Sequence, residues 1–453
     1  MTRIAKYLIF TFFLSGLYTT AARAQTINAA SCSASDVQTA INAAAPGDTV
    51  TLPACSQTNW TSTVTINVGI TLQGAGQGVT IIGDNVNKGG ASCSGGAPAF
   101  SWKVPASQSM RMTGLTVVGV STDPGVCQDG HIAIAGGTHT LRIDHITINP
   151  GQTVGILIQG DIWGLIDDIT WTSDFHNAVR IEHLNWNGFS KWDDTWGDAS
   201  WNTPIVYGGA SGAPQGIYIE NSTFTNTDST NIGGVTDCFS GGRLVFRYNT
   251  VTMYNNQSHG ADSDQRHRAC RWQEIYNNTY TYSNISDLAF ISWIRGGTGV
   301  FYNNTITAAG YSNKIVQVAN CRDASAGCGG GPNYTPWGAC NGSSSYDQDS
   351  SGGYRCVDQP GAGTSNLLGP DPSGTITPAN TWVGNSLDPV YVWGNTLNGS
   401  SNNTTSGTTN VASNRDSYAG IARPGYTAYT YPYPLTGSGS SVAAPTNLVV
   451  TVQ

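Results

Sequence analysis

Seven segments of this chain superpose when aligned on a threonine: LRIDHITIN (141–149), GLIDDITWT (164–172), IYIENSTFT (217–225), LVFRYNTVT (244–252), QEIYNNTYT (273–281), GVFYNNTIT (299–307) and VYVWGNTLN (390–398). Successive aligned threonines lie 23, 53, 27, 29, 26 and 91 residues apart. A repeat in the twenties, rich in β-branched and aromatic residues and lacking helical periodicity, buries its apolar face only by stacking on its neighbours. That predicts one β-helix coil per repeat, with the interval of 53 accommodating two coils and an inserted loop.

The columns of the alignment carry the physics. Four residues before the threonine stand Ile143, Ile166, Ile219, Phe246, Ile275, Phe301 and Val392, an inward stack. One residue after it stand Ile148, Trp171, Phe224, Val251, Tyr280, Ile306 and Leu397, a second stack. Immediately before it come Asn249, Asn278, Asn304 and Asn395, and asparagines stacked at one turn can hydrogen-bond from coil to coil. This turn role also explains the N-x-S/T sequons without glycosylation.

A solenoid needs its open end covered. SASDVQTAINAAAPGDTVTLPA supplies an amphipathic helix over about 35–44, then a strand. This opening, followed by ITLQGAGQGVTIIGD, resembles the start of right-handed parallel β-helix proteins of the pectin-lyase-like superfamily, across roughly residues 30 to 400. The expected fold is therefore all-β: a right-handed parallel β-helix solenoid with an N-terminal cap helix and disulfide-pinned C-terminal loops. Past residue 310 the repeat loosens into a long Gly/Ser-rich excursion, and a last coil at 390–398 closes the solenoid.

Residues 1–24 read as a signal peptide: a basic MTRIAK, the apolar run YLIFTFFLSGLY, then TTAARA with cleavage after Ala24. That run is shorter than the about 20 residues a membrane helix needs, so no membrane insertion is expected and the protein is exported, to the periplasm or the medium. Residues 25–435 form the β-helix domain and 436–453 a linker or tail. All ten cysteines follow the signal, and an even count in an exported chain favours disulfides. Nearest-neighbour pairing (32–55, 93–127, 238–270, 321–328, 340–356) is the simplest scheme. A net charge of −8 disfavours a nucleic-acid partner. Nothing calls for a second subunit, and a monomer is expected.

Neighbours of an inward residue in a strand face outward. Three residues before the threonine the column reads Asp144, Asp167, Glu220, Arg247, Tyr276, Tyr302 and Trp393. Asp144 and Asp167 on adjacent coils suit a retaining glycosidase pair, whose carboxyls lie about 5 Å apart, or a Ca²⁺ site, since calcium takes oxygen ligands. Glu220 and Arg247 can equally pair across coils. Tyr276, Tyr302 and Trp393 offer flat faces to sugar rings. A second aromatic cluster, LNWNGFSKWDDTWGDASW (184–201), contains Trp192 and Trp196 in an insertion that could wall a groove, and DFHNAVRIEH before it adds His176, Arg180, Glu182 and His183.

SHGADSDQRHRACRW (258–272) concentrates cations in a chain with only 20 Lys and Arg. Alternation places Arg266, Arg268 and Arg295 on one outward face, with Arg247 one coil back. Arginine forks suit carboxylates, so a carboxylate-bearing polysaccharide such as pectin or alginate is the expected partner. Elimination on such sugars requires neutralising the carboxylate, removing the C5 proton and protonating the leaving oxygen. His259 or His267 could move the proton. The resemblance implies a different base, an arginine in pectate lyases and a lysine–arginine pair in related uronate lyases. Arg268 and Arg266 are the analogous positions by type and location, and lysine is missing there. The polygalacturonase signature is absent: only Asp167–Asp168 and a fragment, SHG, match it.

The function expected is a secreted polysaccharide-active enzyme, a β-elimination lyase on an acidic, uronate-containing polysaccharide. A glycoside hydrolase using Asp144, Asp167 or Glu220, and a non-catalytic carbohydrate-binding or surface-adhesion rod, are the alternatives.

Overall fold

The seven aligned coils turn the same corner at the same place. The residue two before the aligned threonine has left-handed backbone: His145 (φ 51°), Asp168 (50°), Asn221 (53°), Tyr248 (56°), Asn277 (56°), Asn303 (53°) and Gly394 (67°). Only Gly394 takes this conformation freely, and asparagine, aspartate and histidine tolerate it better than most residues. In the computed structural model, which describes residues 23–89, 96–120, 130–151, 153–174, 176–183, 216–259, 269–320, 348–350, 353–355, 360–361, 387–407 and 411–437, these corners stack into the expected parallel β-helix.

Two long sheets form its walls. A twenty-stranded sheet holds both strands that flank each corner, and a ten-stranded sheet runs from Val64–Ile66 to Thr405–Gly407 with all its pairings parallel. The threonine alignment coincides with the observed register: Ile143 pairs with Ile166, then Ile219, Phe246, Ile275, Phe301 and Val392 in turn. Those seven side chains are wholly buried, each a burial that stabilises by about 1.5–3 kcal/mol. The second column, from Ile148 to Leu397, is in register too.

The helix Ala34–Asn42 closes the first coil. Ser33 caps it by accepting from the Asp36 N–H, and Val37, Ala40 and Ile41 are its buried face. Disulfides Cys32–Cys55 and Cys238–Cys270 form as expected, while cysteines 93, 127, 321, 328, 340 and 356, and with them the disulfide-pinned loops, lie outside the described residues.

Three expectations are corrected. Thr170 pairs directly with Thr223, so the interval of 53 residues is one coil carrying a long insertion rather than two. Met110–Gly119 forms a further coil with Thr116 opposite Thr147, which the alignment missed because glycine and threonine replace its outward polar residues. The segment 390–398 is not the end of the solenoid, because Thr405–Gly407 adds to one sheet and Ser417–Ala419 to the other.

The asparagine column is a continuous ladder. Asn249 Nδ2 donates to Asn278 Oδ1 (3.2 Å), Asn278 to Asn304 (3.0 Å), Asn304 to Asn395 (3.0 Å) and Asn395 to Asn403 (3.2 Å). Each Oδ1 also accepts a backbone N–H of the preceding coil, and Nδ2 of Asn278 reaches the Phe246 carbonyl at 2.9 Å. Replacing Asn278 by alanine leaves several buried groups unpaired, at about 1–3 kcal/mol each. Asn278→Ala is therefore expected to lower unfolding free energy in denaturant titrations by on the order of 3 kcal/mol. Asn278→Asp, which loses the donor, should not restore it.

Candidate functional site

The outward column from Asp144 to Trp393 exists in the predicted register, but it is roofed. Residues 423–435 run along it, back toward the N-terminal coils. Arg423 binds Asp388 at 2.5 Å beside Tyr391, Tyr426 hydrogen-bonds to Glu274, and Tyr433 N donates to Glu220 Oε1 at 2.8 Å. At the far end Arg142 Nη1 donates to the Leu435 carbonyl at 2.8 Å. An outer apolar cluster of Leu165, Tyr218, Val245, Trp272, Tyr276, Val300, Tyr302 and Tyr433 results.

This roof corrects several assignments. Tyr276 and Tyr302 stack at 4.7 Å and Tyr302 and Trp393 at 4.4 Å, while Tyr426 stands edge-on to the last two. The rings therefore lie against one another and a covering tyrosine, not against open solvent where sugars could stack. Arg247 is wholly buried. It binds Glu220 (2.7 Å), the Tyr276 hydroxyl (2.9 Å) and the carbonyls of Tyr429 (2.7 Å) and Thr430 (2.9 Å). With its donors committed to the protein, it is a strut and not a carboxylate receptor.

The aspartates are likewise occupied. Asp144 and Asp167 are direct partners on adjacent strands. Arg111 grips Asp144 through two bonds of 2.8 and 2.6 Å. Arg142 lies 3.3 Å from Asp144 and 3.6 Å from Asp167, where a calcium ion or a sugar carbon would have to be. His145 leans on Asp144 at 2.9 Å. In this arrangement the two carboxylates share the Arg142 guanidinium. Among the described residues no cluster of His, Cys, Asp or Glu is placed to share a metal ion.

The other wall groups buried charges around a partly exposed histidine. In the ten-stranded sheet Arg180 on Val179–Glu182 pairs with Asp237 on Gly233–Phe239, which pairs with Gln257 on Tyr254–Ser258. Cys238 points into the core, so alternation turns Asp237 outward. Its carboxylate, itself shielded from solvent, lies 2.6 Å from His259 Nδ1 and forms an ion pair with Arg180, whose Nη2 is 3.1 Å away and donates to Asn177. The His259 side chain keeps 23% exposure. Phe239 sits edge-on to the imidazole and beneath the Arg180 guanidinium, 6.3 and 5.6 Å between centres.

On the next strand, Ser292–Ile294, Trp293 carries the guanidinium of Arg295 over its ring at 3.6 Å. Ser258 locks that strand to its neighbour, donating to the Trp293 carbonyl (2.8 Å) and accepting the Arg295 N–H (3.1 Å). On the far side, Gln159 donates to Glu182 at 2.7 Å. Two histidines of the DFHNAVRIEH stretch are structural. His183 is buried between the Ile162 carbonyl and the Arg243 N–H, and burial pushes its pKa down to about 3. His176 is also depressed by burial.

Of the sequence-predicted residues, His259 and Arg295 both lie on this wall, where the Arg295 N–H donates to Ser258, the residue before His259. Asp237, Phe239 and Trp293 were missed. Arg266, His267 and Arg268, and Trp192 and Trp196, lie outside the described residues.

No family model matches the sequence and no curated protein is similar to it. Among solved structures, an alginate lyase from Paenibacillus sp. str. FPU-7 aligns at 14% identity over 65% of this chain and 90% of its own, with a TM-score of 0.31. ORF18 of Geobacillus virus E2 aligns at 12% identity over 64% of this chain and 57% of its own, TM-score 0.32. Both superpose too loosely for their sites to be compared with this one.

Under the roof, burial, ahead of the influence of neighbouring charges, pushes the Asp167 carboxyl up to about 7. An unfolded aspartate titrates near about 3.9. Between those values the folded chain binds the proton and the unfolded chain does not, so this group makes stability fall as pH rises from about 4 to about 7. Asp167→Asn removes that slope. Its stability relative to wild type should improve between pH 4 and pH 8 in parallel denaturant titrations.

Proposed function

We propose that the protein is an exported polysaccharide lyase that cleaves an acidic, uronate-containing polysaccharide by β-elimination at the His259 site. The observation that carries this reading is the Asp237–His259 pair on an outward sheet face, flanked by Arg180 and Arg295. Nδ1 of His259 faces the Asp237 carboxylate at 2.6 Å, so a base acting from this ring works through Nε2. A buried carboxylate fixed by Arg180 orients the ring without competing for the substrate's proton.

In the proposed step Nε2 takes the proton from C5 of the uronate. The C5–H electrons form a C4=C5 double bond, the C4–O bond breaks, and the departing oxygen takes a proton from the imidazolium or from water. Arg295, held flat on Trp293, supplies positive charge beside the histidine, where a substrate carboxylate gaining negative charge at its α carbon is stabilised. Trp293 gives an apolar face to the adjacent ring. Export is supported by the basic and apolar character of residues 1–24 and by two disulfides. Among the described residues, no helix is long and apolar enough to cross a membrane.

Purified protein is incubated with polygalacturonate, alginate and neutral polysaccharides, following ultraviolet absorbance of unsaturated uronates and new reducing ends together. Both signals should rise on an acidic polymer. His259→Ala should reduce the rate roughly 100- to 10,000-fold with its fold, read by circular dichroism, unchanged. Reducing ends without absorbance would mean hydrolysis. An undiminished His259→Ala enzyme would remove this site from the chemistry, and tight binding without either signal would make the protein a binding rod.

A further inference from the structure

We propose a second binding site for an anionic sugar, at Lys103, remote from His259 but on the same wall. The proposal rests on the acidic-polysaccharide reading above and extends it to how a long chain is held. A cavity of about 380 Å³ opens at the end of Phe100–Val104, lined by Asn67, Lys103, Val104, Pro105, Ala106 and Gly136 together with Gly137. That volume falls in the range of small-molecule sites, roughly 300–1,000 Å³.

The lining has the chemistry of a uronate receptor. Lys103 and Asn67 are exposed, and Lys103 forms no ion pair with the described residues. The contrast with Lys88 is informative, because Lys88 is buried against Asp84 at 2.7 Å as a structural cation. An ammonium with rotatable donors suits a carboxylate whose orientation is not fixed in advance. Asn67 can both donate to and accept from hydroxyls. Val104, Pro105 and Ala106 form an apolar wall for the carbon face of a ring. Gly136, at φ 124°, keeps the floor as bare backbone, since a Cβ there would sit 2.0 Å from the Val104 carbonyl oxygen.

The next turns of the chain add an aromatic surface. His139 stacks on Trp163 at 4.1 Å and 6°, is held by Asp161 at 2.9 Å, and leaves half its side chain exposed. Register fixes the separation from the catalytic site. Lys103 pairs with Ala135, Ala135 with Gln159, Gln159 with Glu182 and Glu182 with Phe239, whose neighbour on the next strand is His259. Five strand steps put Lys103 about 24 Å from His259. A polymer could occupy both places, and a trisaccharide held at His259 could not reach Lys103. Linked occupancy of that kind raises affinity for the long chain alone.

The test uses the full chain carrying His259→Ala, so that nothing is cleaved, titrated with polygalacturonate and with alginate. Adding Lys103→Met should weaken binding of the acidic polymer roughly tenfold, the worth of one charge-assisted hydrogen bond. Lys103→Glu should weaken it further. In the chain with His259 intact, Lys103→Met should leave turnover of the acidic trisaccharide unchanged. Polymer affinity indifferent to Lys103 overturns the proposal, and so does an equal loss of trisaccharide turnover, which would make Lys103 part of the catalytic region or of the fold. Lys103-dependent binding without any turnover upholds this site and refutes the lyase reading. Turnover with Lys103-independent binding does the reverse, and neither binding nor turnover of either polymer refutes both.

Discussion

The asparagine ladder at the corner is the constraint on which the rest of this molecule depends. A parallel sheet slipped by one residue would send its inward side chains out and its outward ones in. Here each corner carries a left-handed residue followed by the ladder position, and from Asn249 to Asn395 the same Oδ1 takes both an amide side chain and a backbone N–H from the coil before it. Those bonds can form in one register only. Register in turn decides that Phe246 lies over Ile275 and Ile275 over Phe301. The core of these coils is a consequence of corner chemistry.

A solenoid also has to deal with what it turns outward. On the long sheet the column of carboxylates, arginine and aromatics is covered by residues 423–435, and two of its buried carboxylates are firmly paired: Glu220 with Arg247 and the Tyr433 N–H, Asp144 with Arg111. Breaking such a pair leaves an uncompensated buried charge, which is far more costly than the net worth of the pair. That asymmetry holds the covering segment in place. It also explains how a column that looks reactive as a list of residue types comes to be partnered by the protein itself.

Most of the β-helix was legible in the sequence because its determinants are local and repeat. The threonine and the apolar positions around it recur in each aligned unit, the asparagine before it recurs in the last four, and the cap helix follows from Ser33 and the spacing of Val37, Ala40 and Ile41. The roof was not legible. PGYTAYTYPYPL repeats nothing, and its tyrosines act on residues nearly two hundred positions away, as Tyr429 does on Arg247. The candidate site was half legible for a related reason. His259 and Arg295 stood out as charges in a charge-poor chain, whereas Asp237 sits in VTDCF, on strands that share no anchor residue with the threonine alignment. Its outward direction follows only from knowing that Cys238 faces in.

The two walls use the same pairing of arginine with carboxylate to opposite ends. On the roofed wall the arginine is terminal: Arg247 has no donor left for anything that arrives from outside. On the ten-stranded wall the pair is a support, because Asp237 turns one oxygen to Arg180 and the other to His259 Nδ1. Arg180 and Asp237 stand on paired strands and His259 directly follows the end of the next one, so strand spacing sets the separation of these elements. Positioning of that kind is what proton transfer requires, since a base must meet its substrate without first paying to be ordered. The distinction between strut and reactive group therefore lies in how many of its polar atoms the protein has already used, and not in which residue type stands at the position.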